Sequence, residues 1–458
     1  MQDKDVAAAA SGGLRRVIGF WGGTAFIVGV TIGSGIFRKP PTIAGLIPNP
    51  MAIMGLWALF GVISLCGALT LAELSSLLPR TGGVYVYLRK AYGDAIAFVF
   101  GWLYVLVATP ATVGALATVF AEFLLNLAGV PTGGFRMQGI AIGAILVLTA
   151  ANILGAKIGA GLGTVLTVIK VGALLAIVFG AFLFGQGSLS HVTSGPIPGE
   201  GLARAVASVI WTYDGWIAVS MIAGEVVAPE QLMKRITIVG MSVIVALYLL
   251  ANLAYFYMMP LDVMVGQEAA IARTVMTAIA GPIGGTIILL CIMCSVLGAL
   301  NANVLAKPRV AYAMARDGLT FSWLGIAHPR WATPWVAIVV QGIAAIVMVV
   351  ALRDFDTLTT YFVVVEWTAL IVAVAAVFVL RRTMADVPRP YRTPGYPWVP
   401  LVFIVGAAIG LGAIVWGEFM NGNYTPIYGL GIAMLGFPVY YLWRKTIGPS
   451  APAPAEAL

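Results

Sequence analysis

The chain has 458 residues, of which 60% are hydrophobic and only 10% are charged, and its mean hydropathy is +0.98. Soluble domains contain about 45–50% apolar and about 25% charged residues. So few charged residues do not cover the surface of a water-soluble protein of this size. The composition therefore excludes a soluble enzyme, a nucleic-acid-binding module and a disordered chain, and it indicates a multi-pass membrane protein.

The net charge of +8 arises from 26 Lys and Arg against 18 Asp and Glu. The basic residues form short clusters between apolar segments, a pattern typical of membrane topology rather than of a nucleic-acid surface. A segment of about 20 apolar residues crosses the hydrocarbon core as a helix. The sequence predicts twelve such spans, at 17–37, 51–78, 95–127, 137–154, 159–185, 203–225, 235–259, 282–306, 334–352, 358–380, 399–419 and 427–443.

The distribution of basic residues predicts the orientation. With the N-terminus inside, 19 Lys and Arg lie inside, Lys307 and Arg309 among them, 6 lie outside, and only Lys170 lies in mid-span. This excess predicts cytoplasmic N- and C-termini. The first apolar segment is long and is interpreted as span 1 rather than as a cleavable signal peptide.

The sequence offers few groups for enzyme chemistry. Cys66, Cys291 and Cys294 lie within apolar segments, and the two histidines, His191 and His328, lie in loops. We therefore expect no disulfide framework, no metal or other cofactor, and no enzymatic activity.

Two of the predicted helices are interrupted near their middles. Span 1 contains three glycines in Gly29–Gly35, and span 6 contains an acid beside a glycine in Trp211–Trp216. Glycines in membrane helices often only allow close packing. These two breaks, however, fall in the first helix of two successive five-helix halves, which is typical of inverted-repeat transporters with a substrate site at the midplane. Half-helix ends there attract a carboxylate and an ammonium, which favours an amino acid as ligand.

Four separated motifs carry a family resemblance: Ile32–Phe37, Gly67–Gly93, Trp211–Trp216 and Ser295–Leu319. In them, and over residues 15–445 as a whole, the chain resembles the amino acid–polyamine–organocation superfamily. Within that superfamily it is similar to the L-type amino acid transporter branch and its bacterial relatives. The resemblance implies an all-α, LeuT-like fold of twelve transmembrane helices, with helices 1 and 6 unwound.

The resemblance also implies how the chain is organised. A cytoplasmic tail at 1–14 precedes a transporter core at 15–398, which contains inverted repeats at about 15–185 and 203–380. Helices 11 and 12 follow at 399–445, and a Pro/Ala-rich tail at 446–458 is expected to be disordered.

By the same resemblance, substrate binds at the backbone of the two breaks. Its carboxylate would meet N–H groups around Ser34 and Gly35, and its amino group would meet carbonyls on both segments. The candidate substrate-binding residues are Thr31, Ile32, Gly33, Ser34, Gly35, Trp211, Thr212, Tyr213, Asp214 and Gly215. Trp211 matches the family's aromatic gate, although packing is the more usual role of a buried tryptophan.

Lys170 lies near the middle of span 5, where a lone ammonium is costly unless it is paired or hydrogen-bonded. In sodium-independent relatives, a lysine at the matching place occupies the region of a sodium ion. The resemblance therefore implies that Lys170 bridges spans 1, 5 and 8 in place of Na⁺. It could also bind and release a proton.

Two acids within the spans leave the substrate class open. Asp214 either holds the unwound segment through local hydrogen bonds or serves as a counter-ion for a basic substrate side chain. Glu366, where the family usually has an apolar residue, is a second selectivity candidate. It could face the cavity, pair with a donor, or stay protonated.

These patterns predict a secondary active amino acid transporter that works by alternating access. The favoured activity is sodium-independent exchange of neutral L-amino acids, with proton linkage as an open possibility. Alternatives are a transporter of cationic amino acids or polyamines, and a non-transporting amino acid sensor. Animal members of the L-type branch, which the chain resembles, join a heavy chain through a cysteine in the loop between spans 3 and 4. Here that loop, about Asn126–Gln138, contains no cysteine, so we expect no disulfide-linked heavy subunit. The expected partners are the substrate and the lipid bilayer, without nucleic acid, and the expected assembly is a monomer or homodimer.

Overall fold

The computed structural model describes residues 16–192, 199–267, 271–352 and 355–447. Within these ranges the regular structure is helical, apart from an isolated parallel β-bridge between Ile18 and Val226. Nine described helical stretches are long and apolar enough to cross a membrane. The chain is therefore a multi-pass helical membrane protein, and the count of twelve spans stays a prediction. The predicted N-terminal tail at 1–14 and residues 448–458 of the predicted C-terminal tail lie outside the described ranges. Residues 446–447, which the sequence assigned to that tail, belong instead to the last described helix, Thr425–Ile447.

The helices of the first part of the chain form a run that ends before residue 193. They are α1 (Phe20–Thr31), α2 (Gly35–Leu46), α3 (Pro50–Leu77), α4 (Val84–Tyr92), α5 (Asp94–Leu103), α6 (Thr109–Leu127), α7 (Gly134–Ile153) and α8 (Ala156–Phe184).

The described residues of the second part of the chain form ten further α-helices. They are α9 (Gly199–Tyr213), α10 (Ala218–Met221), α11 (Pro229–Met258), α12 (Leu261–Met264), α13 (Ile271–Ala306), α14 (Pro308–Arg316), α15 (Trp335–Leu352), α16 (Phe355–Thr383), α17 (Trp398–Met420) and α18 (Thr425–Ile447).

The break in predicted span 1 is narrower than the glycine pattern suggested. Helix α1 continues through Gly29 and ends at Thr31, and α2 begins at Gly35, so only residues 32–34 leave the helix. Gly29 is helical, and glycine is needed at this position because a Cβ would clash with Thr167 of α8. Its role is close helix packing, which is common for glycine in membrane helices.

The break in predicted span 6 follows Tyr213, where α9 ends. The next residues form a turn before the short helix α10. Gly215 in this turn has φ +111°, and a Cβ on it would lie 3.1 Å from the Cα of Thr31. Glycine is required here both for the backbone conformation and for the close approach of the two breaks.

Two further irregularities have a proline beside them. A π-helical turn covers Tyr104–Ala108, just before Pro110, which lacks the N–H that would continue the ladder. Helix α13 is kinked at Ala280 and Gly281, immediately before Pro282. The predicted start of span 8 at residue 282 coincides with this kink, and the helix itself begins earlier, at Ile271.

The broken segments lie at the centre of the helical packing. Helix α1 packs against α8, α11 and α13, while α2 packs against α9. Most of α1 after Gly23 is buried. Helices α8, α11 and α13 therefore surround the first break, and α9 brings the second break against α2. The free backbone groups of both breaks face protein rather than lipid, as unpaired backbone at membrane depth requires.

Candidate binding site at the two helix breaks

A small cavity joins the two breaks. Its volume is about 20 Å³, room for about one water molecule. Of the ten predicted binding residues, eight line it: Thr31, Gly33, Ser34, Gly35, Trp211, Thr212, Asp214 and Gly215. Ile32 and Tyr213 do not line the cavity, although they belong to the same two segments.

One wall of the cavity is the N-terminal end of α2. The first hydrogen bonds of this helix run from the N–H groups of Phe37 and Arg38 to the carbonyl of Ser34. The N–H groups of Gly35 and Ile36 precede this ladder, as the first N–H groups of any helix do. Such an end carries a partial positive charge and is suited to bind an anion such as a carboxylate.

The carbonyl groups at the end of α1 are already occupied. The carbonyl of Ile32 accepts from Lys170 Nζ at 2.5 Å and from Ser295 Oγ at 3.3 Å. The carbonyl of Thr31 accepts from Gly33 N at 2.9 Å and from Tyr248 Oη at 2.9 Å. A carbonyl oxygen has two lone pairs, so neither group retains one for a ligand's ammonium.

Tyr248 of α11 connects the two broken helices. Its hydroxyl lies 2.9 Å from the carbonyl oxygen of Thr31 and 2.9 Å from that of Thr212. The ring is fully buried and lies 5.1 Å from the ring of Tyr213. Tyr213 does not line the cavity, but it packs against Tyr248 and so supports the residue that connects the two breaks.

Lys170 is fully buried on α8. Its ammonium donates to the carbonyl of Gly29 at 2.7 Å as well as to that of Ile32. It also lies beside α13, because a Cβ on Gly298 would be 3.5 Å from Lys170 Nζ. One cation thus joins α8 to the last turn of α1 and lies against α13.

Trp211 lines the cavity and is 7% exposed. Its ring meets the ring of Phe362 edge to face, with centroids 5.3 Å apart and an interplanar angle of 89°. This T-shaped arrangement is a favourable one for two aromatic rings, and it holds the indole over the cavity.

The two candidate selectivity acids differ in position. Asp214 lines the cavity, and its Oδ1 atom has no hydrogen-bond partner among the described residues. Glu366 lies behind the cavity at 1% exposure and accepts from the hydroxyl of Tyr104 at 3.3 Å.

Lys307, predicted to be a topology-setting charge in an inside loop, is buried instead, at 3% exposure. It lies within electrostatic range of both Asp214 and Glu366. Arg309, assigned to the same loop, is 1% exposed and forms a bidentate ion pair with Glu225. The prediction was wrong because it assumed a loop after span 8. In the structure α13 continues into α14 with only Lys307 between them, and the pattern of basic clusters does not distinguish such a buried junction from a loop.

Comparison with known proteins identifies the family. A model of the amino acid permease family matches residues 18–442. The chain belongs to this family. The superfamily resemblance inferred from the four motifs is thereby confirmed, and with it the prediction that the protein is a transporter and not an enzyme.

Individual relatives align along most of this permease. It is 32% identical to the serine/threonine exchanger SteT of Bacillus subtilis (strain 168) over 435 residues, which cover 94% of this chain and 98% of that protein. It is 27% identical to the b(0,+)-type amino acid transporter 1 of Mus musculus over 403 residues, 86% of this chain and 81% of that one. It is 26% identical to the cystine/glutamate transporter of Homo sapiens over 458 residues, 94% and 86% of the two chains.

A second, larger cavity of about 260 Å³ lies between α1, α8 and α13 of the permease. It extends from Val17 and Ile18 at the start of the described chain to Gly29 and Gly298. It therefore reaches the residue whose carbonyl holds Lys170.

The sequence did not point to several residues that line or support the small cavity. Thr112, Leu116 and Asn303 line it, and Tyr248 binds both breaks. Asn303 lies within the family motif Ser295–Leu319, so the motif could have indicated it as a candidate site residue. Thr112 and Leu116 are ordinary residues of an apolar helix, and only the packing of α6 against α13 brings them to the site.

Proposed function

We propose that this permease is a secondary active transporter that exchanges neutral L-amino acids by alternating access, without sodium. The observation that carries the proposal is the meeting of the two helix breaks, where a free helix N-terminus and the end of α9 face each other. A zwitterion supplies a carboxylate for the first and an ammonium for the second. The small cavity between the two breaks has to widen to admit an amino acid. The similarity to a serine/threonine exchanger supports the same class of substrate.

In this proposal the substrate carboxylate binds the N–H groups of Gly35 and Ile36. The amino group binds backbone carbonyls at the end of α9, which closes at Tyr213. The saturated carbonyls of Thr31 and Ile32 are left out of this role. Ile32 then acts through Lys170 and Tyr213 through Tyr248, while the other eight predicted residues surround the substrate.

Lys170 takes the place of a coupling sodium ion in the proposed mechanism. A fixed ammonium that donates to the carbonyls of Gly29 and Ile32 supplies the positive charge that a bound cation would otherwise supply. Since the charge belongs to the protein, it does not have to be taken up from solution.

Alternating access requires two paths to the site. Trp211, braced by Phe362, is proposed to close the outer path, and water exclusion follows when the ring packs over the substrate. With cytoplasmic N- and C-termini, the larger cavity that begins at Val17 lies on the cytoplasmic side and is the proposed inner path. Exchange follows if the empty carrier reorients slowly between these paths.

The architecture proposed for this function has twelve spans in the bacterial inner membrane. Inverted repeats at about 15–185 and 203–380 lie within a core at 15–398, and helices 11 and 12 follow at 399–445. No disulfide-linked heavy subunit and no nucleic acid take part, and the assembly is a monomer or homodimer.

A second candidate function, transport of cationic amino acids or polyamines, has one observation in its favour. Asp214 Oδ1 and Glu366 Oε2 have no hydrogen-bond partner among the described residues. Buried Lys307 lies within electrostatic range of both acids and opposes a second cation, so we favour neutral substrates.

A thermal-shift screen of the purified protein against the twenty amino acids, agmatine and putrescine tests the proposal. A ligand stabilises the folded state by RT ln(1 + [L]/Kd), about 2.7 kcal/mol at a hundredfold excess over Kd. We expect alanine, serine or threonine to raise the unfolding temperature and arginine and the amines to leave it unchanged. Stabilisation by none of the amino acids would contradict the proposed function, and stabilisation by arginine or agmatine alone would favour the second candidate.

A further inference from the structure

A buried cluster of charged and polar side chains lies directly behind the cavity. It consists of Lys307 from the α13–α14 junction, Asp214 from the turn after α9, Glu366 of α16, and Tyr104 and Thr112 beside the π-helical turn. All five side chains are buried, at 9% exposure or less. The electrostatic neighbours of Lys307 are Asp214 and Glu366, so the cluster holds one base and two acids.

Lys307 is connected to the cavity through Thr112. Its ammonium donates to Thr112 Oγ1 at 3.0 Å, and that hydroxyl donates in turn to the carbonyl of Ala108 at 2.8 Å. Thr112 lines the cavity together with Asp214. The lysine thus acts on the cavity through a cavity-lining hydroxyl and through the charge of Asp214.

The same ammonium lies close to the proposed gate. It lies 4.6 Å from the ring centroid of Phe362, the residue that packs against Trp211, and 5.2 Å from that of Tyr104. Tyr104 donates to Glu366. Cation–π contacts of this kind hold an ammonium in place when it is removed from water.

The two acids retain unused acceptor atoms. Asp214 Oδ1 and Glu366 Oε2 are buried and have no hydrogen-bond partner among the described residues. Without Lys307, the carboxylates of Asp214 in the cavity wall and of Glu366 behind it would have no compensating charge, and buried acids of that kind attract a cation. The lysine supplies that charge from the protein itself, so that a substrate side chain does not have to supply it.

We propose that Lys307 sets the charge selectivity of the transport site: by reducing the summed charge of the cluster from the two negative charges of Asp214 and Glu366 to one, it disfavours cationic amino acid side chains and favours neutral ones. The inference rests on the proposed function and assigns it a selectivity residue. Lys307 is a positioning residue in this account, since it acts through Thr112 and the acids rather than by touching the substrate. Exclusion of the wrong ligand by a like charge is a common means of specificity.

The test is competition against labelled alanine uptake in proteoliposomes, with arginine and glutamate as competitors. In Lys307→Gln, arginine should compete at a concentration lower by about tenfold or more relative to wild type, because a charge at this range is poorly screened in the protein. In Glu366→Gln, the cluster loses one negative charge and Lys307 balances Asp214, so glutamate should compete better than in wild type while arginine does not. The double variant Lys307→Gln/Glu366→Gln should return towards the wild-type pattern. Lys90→Gln, which removes an exposed lysine of α4, should leave both competitors unchanged.

A purely structural role for Lys307 would lower all uptake without changing the ratio of competitors, and that result would overturn the inference. If Lys307→Gln does not fold, as judged by size-exclusion chromatography, Glu366→Gln decides: unchanged competition by both arginine and glutamate would overturn it. Alanine uptake by the wild-type protein tests the proposed function separately. Its absence would count against that function, whereas wild-type uptake with unaltered selectivity in the variants counts against Lys307 alone.

Discussion

The ammonium of Lys170 lies 2.7 Å from the carbonyl oxygen of Gly29, a residue 141 positions earlier in the chain. Gly29 lies in the last turn of α1, next to the break, and its carbonyl lacks an intrahelical donor because the helix ends at Thr31. A buried cation therefore satisfies a backbone group that the break leaves free. Each part explains the other: the unwound helix needs a donor, and the buried ammonium needs acceptors.

Lys170→Ala should abolish alanine uptake, to below about a tenth of wild type, because charge-assisted hydrogen bonds contribute about 1.5–3 kcal/mol each. The variant should still be inserted in the membrane, since expression does not depend on the transport site. Uptake in proteoliposomes, normalised to reconstituted protein, is the measurement. Lys445→Ala, at an exposed position of α18, is the control. Normal transport by Lys170→Ala would remove the argument for a fixed charge in place of sodium.

Tyr248→Phe should destabilise the protein by about 0.5–1.5 kcal/mol, because the single hydroxyl proton that the carbonyls of Thr31 and Thr212 share is lost. Thermal unfolding in detergent measures the change. Tyr255→Phe is the matched control on the same helix, because its buried hydroxyl has no partner among the described residues. We expect Tyr255→Phe to be neutral or slightly stabilising. Equal unfolding temperatures for the two variants would show that the bridge between the breaks contributes nothing.

Gly35→Ala should eliminate transport, because the new methyl group would lie 2.5–2.8 Å from atoms of Thr212 across the cavity. The two broken helices would have to separate, and the N–H groups proposed for the substrate carboxylate would move with them. Gly55→Ala in α3, where a Cβ meets nothing within 4 Å, should preserve transport. It should also stabilise its helix by about 0.5–1 kcal/mol. Full uptake by Gly35→Ala would place the substrate elsewhere.

Glu225→Ala should be strongly destabilising, by about 3–5 kcal/mol, because it leaves the Arg309 guanidinium buried and uncompensated. The substitution keeps the Glu225 backbone carbonyl, so the hydrogen bond that this carbonyl accepts from Val17 N at 2.8 Å remains available. Glu418→Ala is the comparison, because its partner Arg204 is half exposed and lies 3.8 Å away, and such pairs contribute about 0–1 kcal/mol. Thermal unfolding should show a much larger loss of stability for Glu225→Ala than for Glu418→Ala. Similar losses of stability would contradict the importance of the buried ion pair.

The sequence located the two breaks because glycine and an acid at membrane depth are local exceptions to an apolar pattern. The same reasoning found Lys170, which differs from every neighbour in its span. It misplaced Lys307 and Arg309, because a basic residue near a helix end has the same local signature in a loop as in a buried junction. It also gave no sign of Thr112 or Tyr248, which are unremarkable within their helices and reach the site only through helix packing. The extent of the first break was overestimated for a related reason: Gly29 is required by Thr167 of a distant helix, and the local pattern does not contain that neighbour.

Exchange is the central property of the proposed mechanism, and counterflow in proteoliposomes measures it. The purified protein is reconstituted with or without unlabelled alanine inside, and uptake of labelled alanine is followed in sodium medium and in choline medium. A sodium-independent exchanger should take up labelled alanine rapidly only when alanine is present inside, at the same rate in both media. Uptake that needs sodium, or that proceeds equally well into empty liposomes, would contradict sodium-independent exchange.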